Sequence, residues 1–88
     1  MDLIKLLIVD DSKTFNNMVS ALFQNLAYKV EQSFTLEEAK NKLLEFQIDY
    51  IILDLNLTDG NGEDLIEYIK QYSPQSKIIV MTADENIE

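Results

Sequence analysis

The sequence predicts an α/β fold built on an open parallel sheet, and three observations support that prediction. Short apolar runs of strand length alternate with longer segments whose apolar residues follow helical spacing. The segments come in the order β-α-β-α-β-α-β, with no internal repeat or linker, which is typical of parallel sheets. Two of the apolar runs end directly in acid, at Asp10–Asp11 and at Asp54.

The bulk composition fits one small globular domain of 88 residues. The net charge is −9, from 16 acidic residues against 7 lysines. Such a surface repels nucleic-acid phosphates, so we expect no direct nucleic-acid binding by this segment, and it suits a metal cation or a basic partner. The chain has no cysteine and no histidine, which excludes disulfides, a Ser-His-Asp triad and a histidine-ligated zinc site.

The sequence also bears on location. No segment approaches the roughly 20 apolar residues that are needed to cross a bilayer. The first residues, Met1-Asp2-Leu3-Ile4-Lys5, lack the charged head and long apolar core of a signal peptide. We therefore expect a cytoplasmic protein without membrane association.

The first strand and the first helix have the clearest patterns. Residues 3–9 are almost all apolar, as in a strand that is covered on both faces. A helix is predicted from Lys13, with Asp11 and Ser12 placed to cap its free N–H groups. Its predicted apolar face consists of Phe15, Met18, Val19, Leu22, Phe23 and Leu26.

The second repeat is a shorter, more exposed strand over residues 28–34, followed by a helix. Thr35 and Glu38 have the spacing of a capping box, with Thr35 as the cap. The residues predicted to face the core from this helix are Leu36, Ala39, Leu43 and Leu44.

The third strand covers residues 49–53 and ends at Asp54. Residues 55–62 read as a loop, and a third helix is predicted from Glu63 to the stop signal Ser73-Pro74. This helix is predicted to bury Leu65, Ile66, Ile69 and Tyr72. A fourth strand is predicted over residues 77–82, followed by a loop or a first helical turn.

Four polar side chains fall at the carboxyl ends of the predicted strands: Asp10, Asp11, Asp54 and Thr82. In a parallel sheet these ends meet at one edge, where ligands bind. Magnesium prefers oxygen ligands, and the backbone carbonyl of Asn56 would add another. A carboxylate here is also able to act as a nucleophile toward a phosphoryl group. Taken alone, Asp10–Asp11 is better explained as a strand-end turn and helix cap; it is the combination with Asp54 at a second strand end that favours a pocket.

Four motifs carry a resemblance to a known family. They are Val9-Asp10-Asp11-Ser12, Leu53-Asp54-Leu55-Asn56-Leu57, Asp59-Gly60-Asn61-Gly62 and Val80-Met81-Thr82-Ala83. In this order and at strand ends, the chain resembles the receiver domain of two-component response regulators over all 88 residues. The resemblance implies a single domain with a flavodoxin-like fold, and a signalling module rather than an enzyme.

The resemblance also implies roles for individual residues. Asp54 matches the phosphoacceptor, and Thr82 matches the switch hydroxyl that moves toward the bound phosphoryl group. Asp11 and Asp54 match direct Mg²⁺ ligands, together with the backbone carbonyl of Asn56. Asp10 matches the acid that holds the metal through water. The positions that tune the lifetime of the phosphorylated state are matched by Asn56, Ala83 and Asp84.

The chain departs from the family pattern in several ways. No residue matches the family's phosphoryl-pairing lysine, and we expect these residues to form the first three quarters of such a domain, without its fifth strand and last two helices. Thr58 stands where proline is common. Ala27 stands where a glycine often ends the first helix, and a left-handed backbone there would cost about 1 kcal/mol.

The implied partners are a histidine kinase or phosphotransfer protein, with small phosphodonors as an alternative source of the phosphoryl group. An effector domain is expected beyond residue 88. The predicted fourth strand would form a flat apolar edge, which favours a dimer across it unless another segment covers it.

Two other functions stay open. A phosphohydrolase of the haloacid dehalogenase type also uses an aspartate after an apolar strand, but it needs a second acid two residues later, where this chain has Asn56. A receiver-like interaction module that never carries phosphate is allowed by the missing lysine.

Overall fold

A computed structural model of the chain describes residues 3–81 and contains a parallel sheet flanked by three helices. The strands are β1 (Lys5–Val9), β2 (Lys29–Ser33), β3 (Tyr50–Asp54), β4 (Asn56–Leu57), β5 (Gly60–Asn61) and β6 (Lys77–Met81). The helices are α1 (Lys13–Asn25), α2 (Leu36–Glu45) and α3 (Gly62–Tyr72). The predicted order of helices and long strands is confirmed. In addition, β4 and β5, each two residues long, form an antiparallel hairpin inside the segment that was predicted as a loop.

The four long strands form one sheet in the order β2-β1-β3-β6, and all three pairings are parallel. The chain runs from β1 outward to β2, and then returns past β1 to β3 on its other side. Val9 of β1 lies in register with Leu53 of β3. The strand order therefore reverses between β1 and β3, and their carboxyl ends border the crevice in which open α/β sheets bind ligands.

The sheet divides the core into two layers. Leu7 and Val9 face the α2–α3 side, where they pack with Leu65 and other buried residues of both helices. Leu6 and Ile8 face the opposite side, where Val19 and Phe23 of α1 cover them. Alternate residues of β1 are thus buried in different layers, which explains why the strand is apolar throughout.

Helix α1 lies on the sheet in a different rotation from the predicted one. Its fully buried residues are polar, Asn16 and Ser20, whereas Met18, Leu22 and Leu26 are exposed. At 100° per residue, the buried face is turned by about a quarter of a circle from the centre of the apolar stripe. The two hydrogen bonds that the Asn16 amide donates to backbone carbonyls account for its burial.

On the other two helices, one predicted core residue of each also lies outside the core. Leu44 is 67 % exposed, because its neighbour Leu43 takes the core position on α2. Tyr72 is also exposed, and its ring packs against that of Tyr68 at a tilt of 42°, with 4.6 Å between centroids.

The starts of α1 and α2 are capped by Ser12 and Thr35, as predicted, whereas Asp11, the other predicted cap of α1, is not one, because the cap position falls on Ser12. Ser12 Oγ accepts a hydrogen bond from the Phe15 N–H at 3.2 Å. Thr35 Oγ1 accepts one from the Glu38 N–H at 3.1 Å. The Glu38 carboxylate, in return, accepts from the Phe34 N–H at 2.8 Å. In the standard capping box, this carboxylate accepts from the N–H of the cap residue itself. Here it accepts from the N–H of Phe34, the residue before the cap.

The end of α1 has a left-handed backbone at the position where the family often has a glycine. Ala27 has φ = +69°, the left-handed region that a glycine occupies without penalty. Its N–H donates to the Gln24 carbonyl at 3.1 Å, which helps to close the end of the helix.

Strand β6 lies at one edge of the sheet, where Ile79 and Val80 are exposed. Within residues 3–81, no strand pairs with its outer side. None of the helices in this part of the chain has both the length and the apolar character that a membrane span requires.

Candidate metal centre

Three carboxylates meet at the carboxyl ends of β1 and β3. Asp10 and Asp11 directly follow β1, and Asp54 is the last residue of β3. One oxygen of each carboxylate lies within 4.8 Å of an oxygen of the other two. Because the two strands are neighbours and parallel, the chain has little freedom to separate these three charges.

Asp10 is held from several sides. Its N–H donates to the Ser33 carbonyl at 3.1 Å, and its Oδ1 accepts from the Ser12 N–H at 2.9 Å. The residue is only 6 % exposed. Burial raises the pKa of the Asp10 carboxyl above its usual value; the Ser12 hydrogen bond opposes this, and the charges of Asp54 and Asp11 add to it.

Asp54 is 9 % exposed, and its Oδ1 accepts a hydrogen bond from the Asn56 N–H at 3.0 Å. Within residues 3–81, its Oδ2 accepts no hydrogen bond. The first residue of α3, Gly62, closely approaches this strand end, since a Cβ there would lie 3.0 Å from the Asp54 carbonyl oxygen and 2.8 Å from Leu55 Cα. A glycine therefore lets α3 begin directly against the backbone that carries Asp54.

The carboxylates open into a cavity of about 490 Å³. Its lining residues are Asp10, Asp11, Ser12, Phe15, Asp54, Asn56 and Met81. In the part of the chain that the structure describes, this lining includes no lysine or other cation. The donor set consists of hard oxygens with uncompensated negative charge, which fits a divalent cation such as magnesium.

The structure brings together four of the predicted site residues, because Asp10, Asp11, Asp54 and Asn56 all line this cavity. Thr82, Ala83 and Asp84 lie outside the described residues. Met81, which precedes Thr82 in the sequence, lies in register with Asp54. The individual roles of all these residues stay predictions.

Two residues that contribute to this region were not predicted from the sequence. Asn16 is buried beneath the end of β1, and Asp59 ties the β4–β5 hairpin to the start of α2. The spacing of Ser12, Asn16 and Ser20, four residues apart, is a signal for the first, because it gives α1 a polar row beside its apolar stripe. Asp59 has no such signal, since its partner is 23 residues away.

A family model described as the response regulator receiver domain matches residues 6–88. The response regulator protein PilR of Pseudomonas aeruginosa is 30% identical over 79 residues, which cover 90% of this chain and 18% of PilR. The sensory transduction protein LytR of Staphylococcus epidermidis is 36% identical over 83 residues, which cover 92% of this chain and 33% of LytR. The chain thus spans less than half the length of these curated relatives.

Solved structures agree with the sequence comparisons. The non-phosphorylated HemR receiver domain from Leptospira biflexa has a TM-score of 0.87 at 30% identity, with 96% of this chain and 68% of that chain covered. A response regulator protein from Burkholderia pseudomallei, solved with a phosphorylated aspartic acid, a calcium ion and citrate, has a TM-score of 0.89 at 25% identity. That match covers 96% of this chain and 49% of the other.

Proposed function

This chain belongs to the response regulator receiver domain family, and from that premise we propose that it accepts a phosphoryl group on Asp54 in a magnesium-dependent reaction. Receiver domains of two-component response regulators are signalling domains, so the transfer would serve to change the state of the protein rather than to turn over a substrate. The donor in this proposal is a phosphohistidine of a histidine kinase or phosphotransfer protein, or a small acyl phosphate.

The observation that carries the proposal is the convergence of Asp10, Asp11 and Asp54. Three carboxylates with oxygens within 4.8 Å of one another repel each other, and the most buried of them has a raised pKa. Such an arrangement is costly unless a cation compensates it. A cavity of about 490 Å³ above them leaves room for both a metal ion and a phosphoryl group.

The surroundings of Asp54 support its proposed role as the nucleophile. The Asn56 N–H holds its Oδ1 at 3.0 Å and so orients the carboxylate, which leaves Oδ2 to attack. In the transfer, an O–P bond forms to Asp54 while the P–N bond of the donor phosphohistidine breaks, and the electron pair of that bond stays on the imidazole. Later hydrolysis breaks the O–P bond by attack of water on phosphorus, releasing phosphate and the free carboxylate.

The same residues would hold the metal. In this proposal Asp11, Asp54 and the backbone carbonyl of Asn56 bind Mg²⁺ directly, and Asp10 binds it through water. Bound magnesium supplies positive charge against the carboxylates and against the charge that develops on the phosphoryl oxygens.

Thr82 follows the residue of β6 that is in register with Asp54. We assign it the role of the switch hydroxyl, which would move toward the phosphoryl group and shift a two-state equilibrium of the domain. Asn56, Ala83 and Asp84 are assigned to tuning the lifetime of the phosphorylated state.

The test is incubation of the protein with MgCl₂ and acetyl phosphate, followed by intact mass spectrometry. We expect one added phosphoryl group that hydroxylamine removes, because an acyl phosphate is labile to that nucleophile. Asp54→Asn should remain unmodified, and a chelator should abolish the reaction of the natural sequence. Absence of the adduct, or its persistence in Asp54→Asn, would refute the proposal.

A steady release of p-nitrophenol from p-nitrophenyl phosphate would instead favour the phosphohydrolase alternative. Saturable magnesium binding without any adduct would favour an interaction module that carries no phosphate.

A further inference from the structure

Asn16 is the most deeply buried polar side chain of α1, with an exposed fraction of 0 %. Its Nδ2 donates two hydrogen bonds, to the Asp10 carbonyl at 3.0 Å and to the Ser33 carbonyl at 2.9 Å. Those carbonyls belong to the ends of two neighbouring strands, β1 and β2. One amide group therefore joins both strand ends to the helix that follows β1.

The orientation of this amide is fixed by a second side chain. Gln32 Nε2 donates to Asn16 Oδ1 at 2.9 Å and to the exposed Asn17 Oδ1 at 2.8 Å. Since Oδ1 is thereby engaged as an acceptor, Nδ2 of Asn16 must face the two carbonyls. A flipped amide would place an oxygen against two oxygens and leave the Gln32 donor facing another donor.

These contacts converge on Asp10. Its N–H is bound to the Ser33 carbonyl, its own carbonyl to Asn16, and its Oδ1 to the Ser12 N–H. Of the polar atoms of Asp10, only Oδ2 has no hydrogen-bond partner within residues 3–81, so its surroundings leave this oxygen to the metal site. Removal of the Asn16 amide would take one hydrogen bond from the Asp10 carbonyl and one from the Ser33 carbonyl, which would keep only the bond from the Asp10 N–H. Such a loss is costly in a buried region.

We propose that Asn16 is a positioning residue for the acidic site, which fixes the backbone of Asp10 and through it the carboxylate that faces the metal. This inference rests on the proposed function for its consequence in metal binding. Groups that orient metal-binding carboxylates commonly change metal affinity by a factor of ten or more when they are removed. Asn16 itself touches neither the metal nor the phosphoryl group in this proposal.

The experiment compares Asn16→Ala with Val19→Ala, a control on the same helix. Val19 packs in the α1 layer of the core and takes part in none of the hydrogen bonds around Asp10, so its truncation should lower stability and leave those hydrogen bonds in place. Gln32→Ala is a milder second variant that removes only the support of the amide, should Asn16→Ala fold poorly. Asn17→Ala removes the other acceptor of Gln32 and should behave as the natural sequence does.

Two measurements are made on each variant. Titration calorimetry with MgCl₂ should give an affinity about tenfold weaker in Asn16→Ala than in Val19→Ala, with Gln32→Ala between them. In metal-free protein, amide hydrogen exchange at Asp10 and Ser12 should be about tenfold faster in Asn16→Ala than in Val19→Ala, while amides of β3 exchange equally in both.

The outcomes separate this inference from the proposed function. Equal magnesium affinity and equal exchange in the two variants would overturn the role of Asn16. If the natural sequence binds no magnesium, the proposed function fails, and the exchange rates alone decide the inference. Faster exchange confined to Asp10 and Ser12 would then still support it, and uniform exchange would overturn it.

Discussion

Asp59 Oδ1 accepts a hydrogen bond from the Leu36 N–H at 2.8 Å, and so caps α2 from a turn 23 residues further along the chain. Its Oδ2 lies 3.3 Å from the Glu37 nitrogen, which provides a second, longer bond. Helix α2 therefore has two caps, since Thr35 supplies the local one. The contact also anchors the turn of the β4–β5 hairpin. The first strand of that hairpin, β4, begins two residues after Asp54.

The Asp59 contact predicts an acid-sensitive component of stability. The Leu36 N–H bond holds the pKa of Asp59 below its usual value. A carboxyl whose folded pKa is lowered stabilises the fold above its unfolded pKa, near 4, and this contribution is lost as pH falls through the folded value. In urea unfolding, Asp59→Asn should thus be less stable than the natural sequence at pH 6, with the difference shrinking below about pH 4.

A matched control for this prediction is Glu67→Gln, which removes one exposed carboxylate from the middle of α3. It should change stability little at pH 6, since surface substitutions away from caps usually lie within about 0.5 kcal/mol. A gap between Asp59→Asn and the natural sequence that stays constant from pH 6 to pH 3 would contradict the assignment.

Sequence reasoning located the acidic site because strand ends are local features. Asp10, Asp11 and Asp54 each end an apolar run, and a parallel sheet brings such ends together. The roles of Asn16 and Asp59 were not predicted, because they depend on partners in other elements. The polar row that Asn16 shares with Ser12 and Ser20 is visible in the sequence, but it does not specify those partners. The rotation of α1 was missed for the same reason: hydrogen bonds of a buried Asn16 outweigh the direction of the apolar stripe.

The end of α1 offers a simple stability test. Ala27 has φ = +69°, which a side chain makes unfavourable. Ala27→Gly should raise the free energy of unfolding by about 1 kcal/mol, since glycine removes that strain. Ala21→Gly, in the exposed interior of the same helix, should lower it by about the same amount. Equal effects of the two glycines in urea unfolding would show that the Ala27 backbone carries no strain.

Magnesium should stabilise the folded protein through the acidic cluster. Burial and the neighbouring charges raise the pKa of Asp10 in the folded protein. Without metal, the ionised carboxylate therefore lowers the free energy of unfolding at pH values above its unfolded pKa. This loss of stability is relieved as the pH falls through the raised pKa of the folded state. At ten times its dissociation constant, magnesium should add about 1.4 kcal/mol to the free energy of unfolding. Matched ionic strength in KCl should not reproduce this gain.

Asp54→Asn tests the same cluster by removing one of its three charges instead of adding a cation. Without metal, the variant should be more stable than the natural sequence by on the order of 1 kcal/mol, because one of three repelling charges is gone. With magnesium, the difference in the free energy of unfolding should vanish or change sign, because the variant lacks the Asp54 carboxylate as a metal ligand. A variant that is less stable in both conditions would show that the three carboxylates are not in conflict.

The exposed edge of β6 should cause association that depends on concentration and salt. Ile79 and Val80 are exposed there, and an apolar strand edge is a template for pairing. The net charge of −9 opposes that pairing between copies, and salt screens this repulsion. In sedimentation velocity, the dimer fraction should therefore rise with protein concentration and with NaCl. Ile79→Lys should reduce it, because a charge on the edge strand blocks pairing.

Leu44→Lys is the matched control for the edge, since it makes the same change of charge at an exposed leucine on α2. Because both variants lower the net negative charge by one unit, general electrostatics predicts slightly stronger association for each. Only pairing through β6 predicts that Ile79→Lys dissociates the protein while Leu44→Lys does not. A protein that stays monomeric at all concentrations and salt levels, or an equal response of both variants, would exclude β6 as the pairing edge.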